Sequence, residues 1–271
     1  MFKRLLELQI IPNNNKSGIK IKEDFEIDVE ITRQIGKTVP AKINVYNLAD
    51  DTIANIKNNY NVIISAGYVD DGGLFVIYTG VVSNIETTIS NLDKITQIEL
   101  TANQQYLNSI IFNKSYKSKI SKRTILQDMA NLTGLPYDIP SDELLNNTIK
   151  FSFNGKVMQG LEQVAKPLGY TVYNDNGRLV FSHFQKPVKK SNQVPLVNEA
   201  HGLIGSPTTK TEEKKGVRII CESLFNSELK LGNFFVLQSK YLNITLKCVK
   251  IQYKLNSRLG DFKQSIEAVK V

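Results

Sequence analysis

The sequence predicts a mainly β protein with a small α/β segment in its middle. Three observations predict it. Apolar and polar residues alternate at a period of two through the first third of the chain. The middle changes to helical spacing, and the last third returns to strand-like runs set between glycine-containing turns. A period of two places alternate side chains on opposite faces of a strand, whereas i, i+4, i+7 spacing places them on one face of a helix.

In the first third, Phe25, Ile27, Val29 and Ile31 alternate with Asp24, Glu26, Asp28 and Glu30. That pattern fits a strand with one buried and one solvated face. Lys42–Tyr46 repeats it with Ile43 and Val45. Asp50, Asp51 and Thr52 open a short helical turn carrying Ile53 and Ile56. Val62–Tyr68 and Leu74–Ile89 read as strands joined by Asp70-Asp71-Gly72-Gly73, where glycine supplies the positive φ of a tight hairpin. Ser90-Asn91-Leu92-Asp93 is the next turn and Ile95–Ala102 the next strand.

In the middle, Ser121 is a candidate N-cap, and Ile125, Met129 and Leu132 form one apolar stripe that Gly134 and Pro136 bring to an end. A second helix carries Val157, Leu161, Val164 and Leu168 and stops at Gly169. Ile149–Phe153, Tyr170–Tyr173 and Leu179–Ser182 read as short strands, the last two joined through Asn174-Asp175-Asn176-Gly177. Lys186-Pro187-Val188-Lys189-Lys190 reads as a basic linker. Beyond it, Val217–Glu222, Phe234–Leu237, Asn243–Leu255 and Phe262–Val269 are strand candidates spaced by turns at Gly232 and Gly260.

Composition narrows the function. The 271 residues are 41% apolar and 22% charged, which excludes global disorder. Apolar runs such as Leu74–Tyr78 fall far short of the roughly 20 residues a membrane helix needs, so no stable membrane insertion is expected. Met1–Leu6 begins like a signal peptide, but Glu7, Gln9 and Pro12 interrupt the apolar region, and the segment is not read as one. Cys221 and Cys248 are too few for a disulfide framework or a four-cysteine zinc site and read as free thiols. The 34 Lys and Arg exceed the 26 Asp and Glu, giving a net charge of +8. Its clusters are Lys114–Lys122 with Arg123, Lys186–Lys190, and Lys210–Lys215, the last interrupted by Glu212 and Glu213. No nucleic-acid motif accompanies them, so solvated surface is the simpler reading.

No catalytic or cofactor signature is present. His183 and His201 lack metal-ligand spacing, and there is no nucleophile elbow, phosphate loop or dinucleotide fingerprint. Gly202-Leu203-Ile204-Gly205 leads into Ser206-Pro207 and reads as a turn. Glu143, Glu162 and Glu222 are the acids a hydrolase would draw on. The expectation is no catalytic residues, no metal and no cofactor.

Four stretches together carry a family resemblance. They are Lys42–Ala49 with Thr52, Ile53 and Ile56; Val62–Tyr68 with Phe75 and Tyr78-Thr79-Gly80-Val81-Val82; the helix ends Gly134-Leu135 and Leu168-Gly169-Tyr170 with Asn176–Leu179; and Gly202–Pro207 with Gly216–Ile219, Ser223–Asn226 and Leu231-Gly232. In this order the chain resembles the baseplate hub proteins of tailed phages and phage-tail-like particles, whose broad fold also occurs in late-control-D proteins and type VI secretion spike hubs. One departure is Ser227, where the family usually has proline. The turn and motif positions carried by the resemblance are Gly67, Gly80, Gly202, Gly205, Pro207, Gly216 and Gly232.

The resemblance implies two tail-tube-like β-barrel domains flanking an α/β module. Residues 1–107 would form the first barrel, 108–186 the α/β domain with two helices, and 187–271 the second barrel. The first part of this last region, within Pro195–Lys215, is a candidate to complete barrel one. It further implies a homotrimer joining a hexameric tail tube to a trimeric central spike, with the tape measure protein and surrounding baseplate proteins as further partners. The protein would be assembled in the host cytoplasm and reside in the virion, with no enzymatic role. DNA would pass through its channel without specific binding. The Asp24, Glu26, Asp28 and Glu30 row is then expected to face that channel, since a negative wall repels phosphates. Two other readings are a nucleic-acid-binding β protein, suggested by the charge, and a tail-associated cell-wall hydrolase.

Overall fold

A computed structural model describes residues 3–13, 17–22, 24–37, 39–102, 105–188, 194–212 and 216–271. Met1 and Phe2, Lys189 and Lys190 of the basic linker, and Glu213–Lys215 of the third basic cluster lie outside the described residues.

The first third contains β1 (Arg4–Ile11), β2 (Ile19–Ile21), β3 (Ile27–Gln34), β4 (Ala41–Tyr46), α1 (Asp50–Asn55), β5 (Asn61–Tyr68), β6 (Gly73–Ser90) and β7 (Asp93–Thr101). The middle holds α2 (Gln105–Ser109), β8 (Ile111–Ser115), β9 (Ile120–Ser121), α3 (Lys122–Leu132), β10 (Thr148–Ile149), β11 (Ser152–Lys156), α4 (Val157–Ala165), β12 (Tyr170–Asp175) and β13 (Arg178–His183). The last third supplies β14 (Leu196–Val197), β15 (Leu203–Glu212), β16 (Gly216–Leu224), β17 (Phe234–Gln238), β18 (Asn243–Asn256) and β19 (Phe262–Lys270). Contacts gather these into two compact units. One comprises residues 1–34, 38–102 and 191–271; the other comprises 35–37 and 103–190.

The first unit is built on one sheet of 13 strands, with the path β15-β16-β19-β18-β3-β4-β7-β6-β5-β1-β2. Every pair along that path is antiparallel; β14 joins β17 in parallel, and β17 in turn pairs with β18. Strands from the two ends of the sequence meet at β3 and β18, from Lys250 opposite Gln34 to Asn256 opposite Asp28. The period-two reading holds on β3, where Ile27, Val29 and Ile31 are buried. They lie in rows with Val45 and Ile43 of β4 and Leu255 and Tyr253 of β18, all of them buried.

The second unit closes around α3 and α4. Ser121 caps α3, its hydroxyl accepting from the Thr124 amide at 3.1 Å. Ile125 and Met129 of α3 pack with Val157, Leu161 and Val164 of α4 over Phe112, Tyr170 and Phe181. Three expectations change here. Leu132 is 48% exposed and leaves the apolar stripe at the last turn. Leu168 lies beyond α4, in a 3-10 turn over Lys166–Leu168 that contains Pro167 and ends at Gly169 with φ +80°. Proline has no amide to donate, so the regular helix stops before it. The single strand expected over Ile149–Phe153 is instead divided between β10 and β11, which pair with β9 and β8.

Two of the strands that escaped the sequence reading did so for a physical reason each. In β1 the carboxylate of Glu7 is buried among Leu6 and Leu8 and paired to Lys20 of β2 at 2.9 Å, which breaks the alternation. The Gly202–Pro207 segment read as a turn is a correction: Gly202 turns the chain at φ +82°, and β15 starts at once. Gly205 and Pro207 fall in a bulge between Ile204 and Thr208, after which pairing to β16 resumes at Thr208 opposite Ile220. A bulge admits residues that a regular ladder would not.

Candidate functional site

The backbone of β3 presents its carboxylates on the face opposite the buried Ile27, Val29 and Ile31. The strand begins at Ile27, so Asp24 and Glu26 precede it and only Asp28 and Glu30 lie within it. Register then fixes their neighbours. Asp28 lies between Asn256 and Asn44, and Asn44 lies beside Gln97. Glu30 lies between Lys254 and Lys42, and Lys42 beside Glu99. The result is a cross-strand row Lys254, Glu30, Lys42, Glu99 whose charge alternates over four strands. Its ion pairs are open, at 3.8 Å for Lys254–Glu30 and 3.6 Å for Lys42–Glu99. On the far side of β18, Lys263 of β19 extends the row and pairs with Glu222 of β16 at 3.4 Å.

The acidic end of this face is tied more closely. The Asn256 side-chain amide donates to Glu26 at 3.2 Å and to Asp28 at 3.0 Å. The Ser257 hydroxyl donates to the Phe25 carbonyl at 2.9 Å, and Arg258 donates to the Asp24 carbonyl at 2.7 Å. The turn after β18 thus holds the entry to β3. Local potential there is negative: the Tyr46 phenol is raised by burial first, then by the charges of Asp28, Glu26 and Asp93. The structure therefore brings Glu26 and Asp28 together through one amide. It also places basic partners along the row, a feature the one-strand pattern could not reveal.

The glycines singled out by sequence serve the sheet. Gly67 of β5 lies opposite Leu74, and a Cβ there would sit 1.7 Å from the Gly73 carbonyl oxygen. Gly80 of β6 approaches the Thr101 carbonyl, where a Cβ would stand at 2.8 Å. Gly202 turns into β15, Gly205 and Pro207 form its bulge, and Gly216 opens β16. Gly232 donates to the Cys248 carbonyl at 2.8 Å.

The second unit holds charged clusters that spacing did not suggest. Asp142 accepts from Lys186 at 2.8 Å, from the Tyr170 hydroxyl at 3.0 Å and from the Leu144 amide at 3.1 Å. These contacts, Lys186 foremost, hold its carboxyl at about 2. Asp128 accepts from Lys114 and Tyr116. Both clusters join charged groups distant in sequence. The acids weighed for hydrolysis are dispersed: Glu143 opens a 3-10 turn, Glu162 is exposed on α4, and Glu222 pairs with Lys263. His201 bonds Asn198, and His183 stacks on Phe184.

A family model described as baseplate hub gp41 matches residues 5–268. No curated protein sequence matches. Among solved structures, the tail protein of Neisseria meningitidis MC58 is similar with a TM-score of 0.65 and 8% identity, over 98% of this chain and 96% of its own. The 43 kDa tail protein of prophage MuSo2 from Shewanella oneidensis reaches 0.65 with 10% identity, over 98% of each chain. The E. coli c3393 protein, described as a component of the type VI secretion system similar to T4 tail proteins gp27 and gp5, reaches 0.61 with 10% identity, over 97% of this chain and 76% of its own. At these identities the likeness is one of fold.

Proposed function

The chain belongs to the baseplate hub gp41 family, a structural part of the virion tail baseplate, and on that premise we propose that it acts as a homotrimeric adaptor. Three copies would join the hexameric tail tube to the trimeric central spike around a channel for DNA. The tape measure protein and surrounding baseplate proteins would be its other neighbours, and no catalysis would be required of it. The observation that carries this reading is the match of the hub model over nearly the whole chain. We assign the strands of residues 1–107 and 187–271 to two tube-like barrels, with β3 and β18 as their seam, and residues 108–186 to an α/β domain.

The carboxylates of Asp24, Glu26, Asp28 and Glu30 are assigned to the channel wall. Their face is polar and the other face of β3 is core, which supports this placement. The paired lysines modify the mechanism expected from sequence. Alternating signs cancel at distances beyond about 10 Å at moderate salt, so such a wall offers phosphate no extended positive surface on which to stall. Sedimentation and low-resolution imaging test the whole reading. A threefold ring with a central opening, alone or with tube and spike partners, is expected. A chain that stays monomeric with both partners present would sink it.

A further inference from the structure

The α/β unit carries nearly all of the chain's positive charge. Residues 35–37 and 103–190 hold 13 Lys and Arg against 6 Asp and Glu, a net of +7 within the chain's +8. The excess is concentrated further: residues 111–123 and 147–156 contain seven Lys and Arg and no carboxylate. Sequence alone reads the first of these stretches as solvated surface, but the structure joins the two into one ribbon. β8 pairs with β11 and β9 with β10, and between the two pairs the Tyr116 amide donates to the Phe151 carbonyl at 3.1 Å.

The ribbon has two unlike faces. Phe112 and Phe151 are buried in the core of the unit, with Ile120, Ile149 and Phe153 packed against that core. The alternate residues point the other way, and they are polar and exposed. Ser115 lies opposite Ser152, and Asn113 opposite Asn154. Lys117, Lys119 and Lys150 gather where the ribbon passes from β8 to β9, and Lys156 stands at its other end. None of these four lysines makes an ion pair among the described residues. The carboxylate that does reach the ribbon, Asp128 of α3, is neutralised by Lys114 at 2.7 Å.

The chemistry of this face selects its partner. Protein interfaces are centred on aromatic and apolar anchors and are depleted of lysine. Here the face offers ammonium, hydroxyl and amide groups, which are the donors that phosphate oxygens take. A two-stranded ribbon is also a shape that a duplex groove admits. We propose that the outer face of the β8–β11 ribbon binds duplex DNA through its phosphates, without regard to base sequence. This goes beyond the adaptor reading and requires neither the trimer nor the channel.

The test is titration of the full chain with two fluorescent duplexes of unrelated sequence, each about 30 base pairs long, followed by anisotropy. Four lysines that each neutralise a phosphate give a slope of log K against log salt of about −3.6 per chain, so binding should fall about 150-fold between about 50 and 200 mM salt, equally for both duplexes. Lys117→Gln, Lys119→Gln and Lys150→Gln together should bring the slope to about −1 and weaken binding at least about 30-fold at the lower salt, with unchanged circular dichroism. Lys57, Lys166 and Lys240 are exposed and lie outside the ribbon. Changing all three to Gln removes the same charge and should leave the slope within about 1 of wild type. Absence of binding at the lower salt, or an equal loss in both triple variants, overturns the proposal. Displacement of the DNA by poly-L-glutamate at equal charge would assign the face to an acidic protein and also overturns it. A chain that binds DNA as described yet never trimerises sinks the adaptor reading alone, and a trimer that ignores DNA sinks this one alone.

Discussion

The two units solve the same problem in different ways. The α/β unit buries its apolar faces against themselves, with α3 and α4 clasped over Phe112, Tyr170 and Phe181. Two of its carboxylates are tied internally, Asp128 to Lys114 and Asp142 to Lys186. The sheet unit leaves Ile89, Leu92 and Leu259 at hairpin ends more than three-quarters exposed, and among the described residues β6 beyond Val82 has a paired strand on one side only. The α/β unit also leaves Ile111, Leu144 and Phe184 more than half exposed, so the units differ in their open strand backbone rather than in exposed apolar side chains.

Substitution of glycine breaks the comparison most sharply. Gly67→Ala in β5 would drive a methyl into the Gly73 carbonyl, a backbone atom that the hairpin fixes. The expected loss is about 3 kcal/mol, read from urea unfolding. Gly160→Ala in α4 meets the end of the Met129 side chain at 2.7 Å and the edge of the Phe153 ring at 3.0 Å, side-chain atoms in both cases. Methionine yields readily, and alanine gains about 1 kcal/mol of helix propensity over glycine. That variant is expected to stay within about 1 kcal/mol of wild type. Equal losses at the two sites would remove the distinction between a rigid sheet corner and an adaptable helix core.

This contrast also marks what was legible in the sequence. Periodicity reveals which faces are buried, so β3, β4, α3 and α4 were readable from Ile27–Ile31, Ile43–Val45 and the helical stripes. It cannot report who lies beside whom. The meeting of β3 with β18 joins residues more than 200 positions apart, as in Asp28 with Asn256, and no local signal encodes it. The acidic row was visible as Asp24, Glu26, Asp28 and Glu30. Its basic complement, Lys254 and Lys42, became visible only once register was known. β1 and β15 were missed where a buried Glu7 and a bulged Pro207 contradict the rules that regular strands obey.

Titration separates the units next. Lys247 of β18 is 1% exposed, and burial brings its ammonium down to about 8. A depressed amine penalises the folded state while protonated, and the penalty lifts as pH rises through 8 towards its ordinary 10.5. Between pH 7 and 9.5 the wild type should gain about 2 kcal/mol relative to Lys247→Met. The buried thiols Cys221 and Cys248 are raised, so they weaken folding over the upper part of that range in both proteins and cancel in the difference. Parallel curves would place the ammonium in a polar setting.

The α/β unit should respond at the other end of the scale. With the Asp142 carboxyl held at about 2 in the fold, its contribution is complete above about pH 4 and is lost as pH falls from there through 2. Asp142→Asn should flatten that acid limb and cost about 1 kcal/mol at neutral pH, since solvent screens a tie so near the surface. Hydrogen exchange in α4 and β12 reads the effect where it belongs. A loss seen equally in β3 and β18 would mean that the two units unfold as one.

The smallest effect belongs to the charge row. Glu30 is 63% exposed and its lysine partner stands 3.8 Å away, so Glu30→Gln should change stability by less than about 0.5 kcal/mol. A double-mutant cycle with Lys254→Gln should show a coupling of the same small size, and a coupling above about 1 kcal/mol would make the row a structural element. A small value has the opposite consequence. Charges that do little to hold the sheet together can be reversed without unfolding it, so Glu30→Lys changes the field of the face and little else. In an assembled particle that substitution should slow DNA release, more so at low salt, because a phosphate chain would then meet a continuous positive stripe from Lys254 to Lys42. Release at the wild-type rate at every salt concentration would take this face out of the channel.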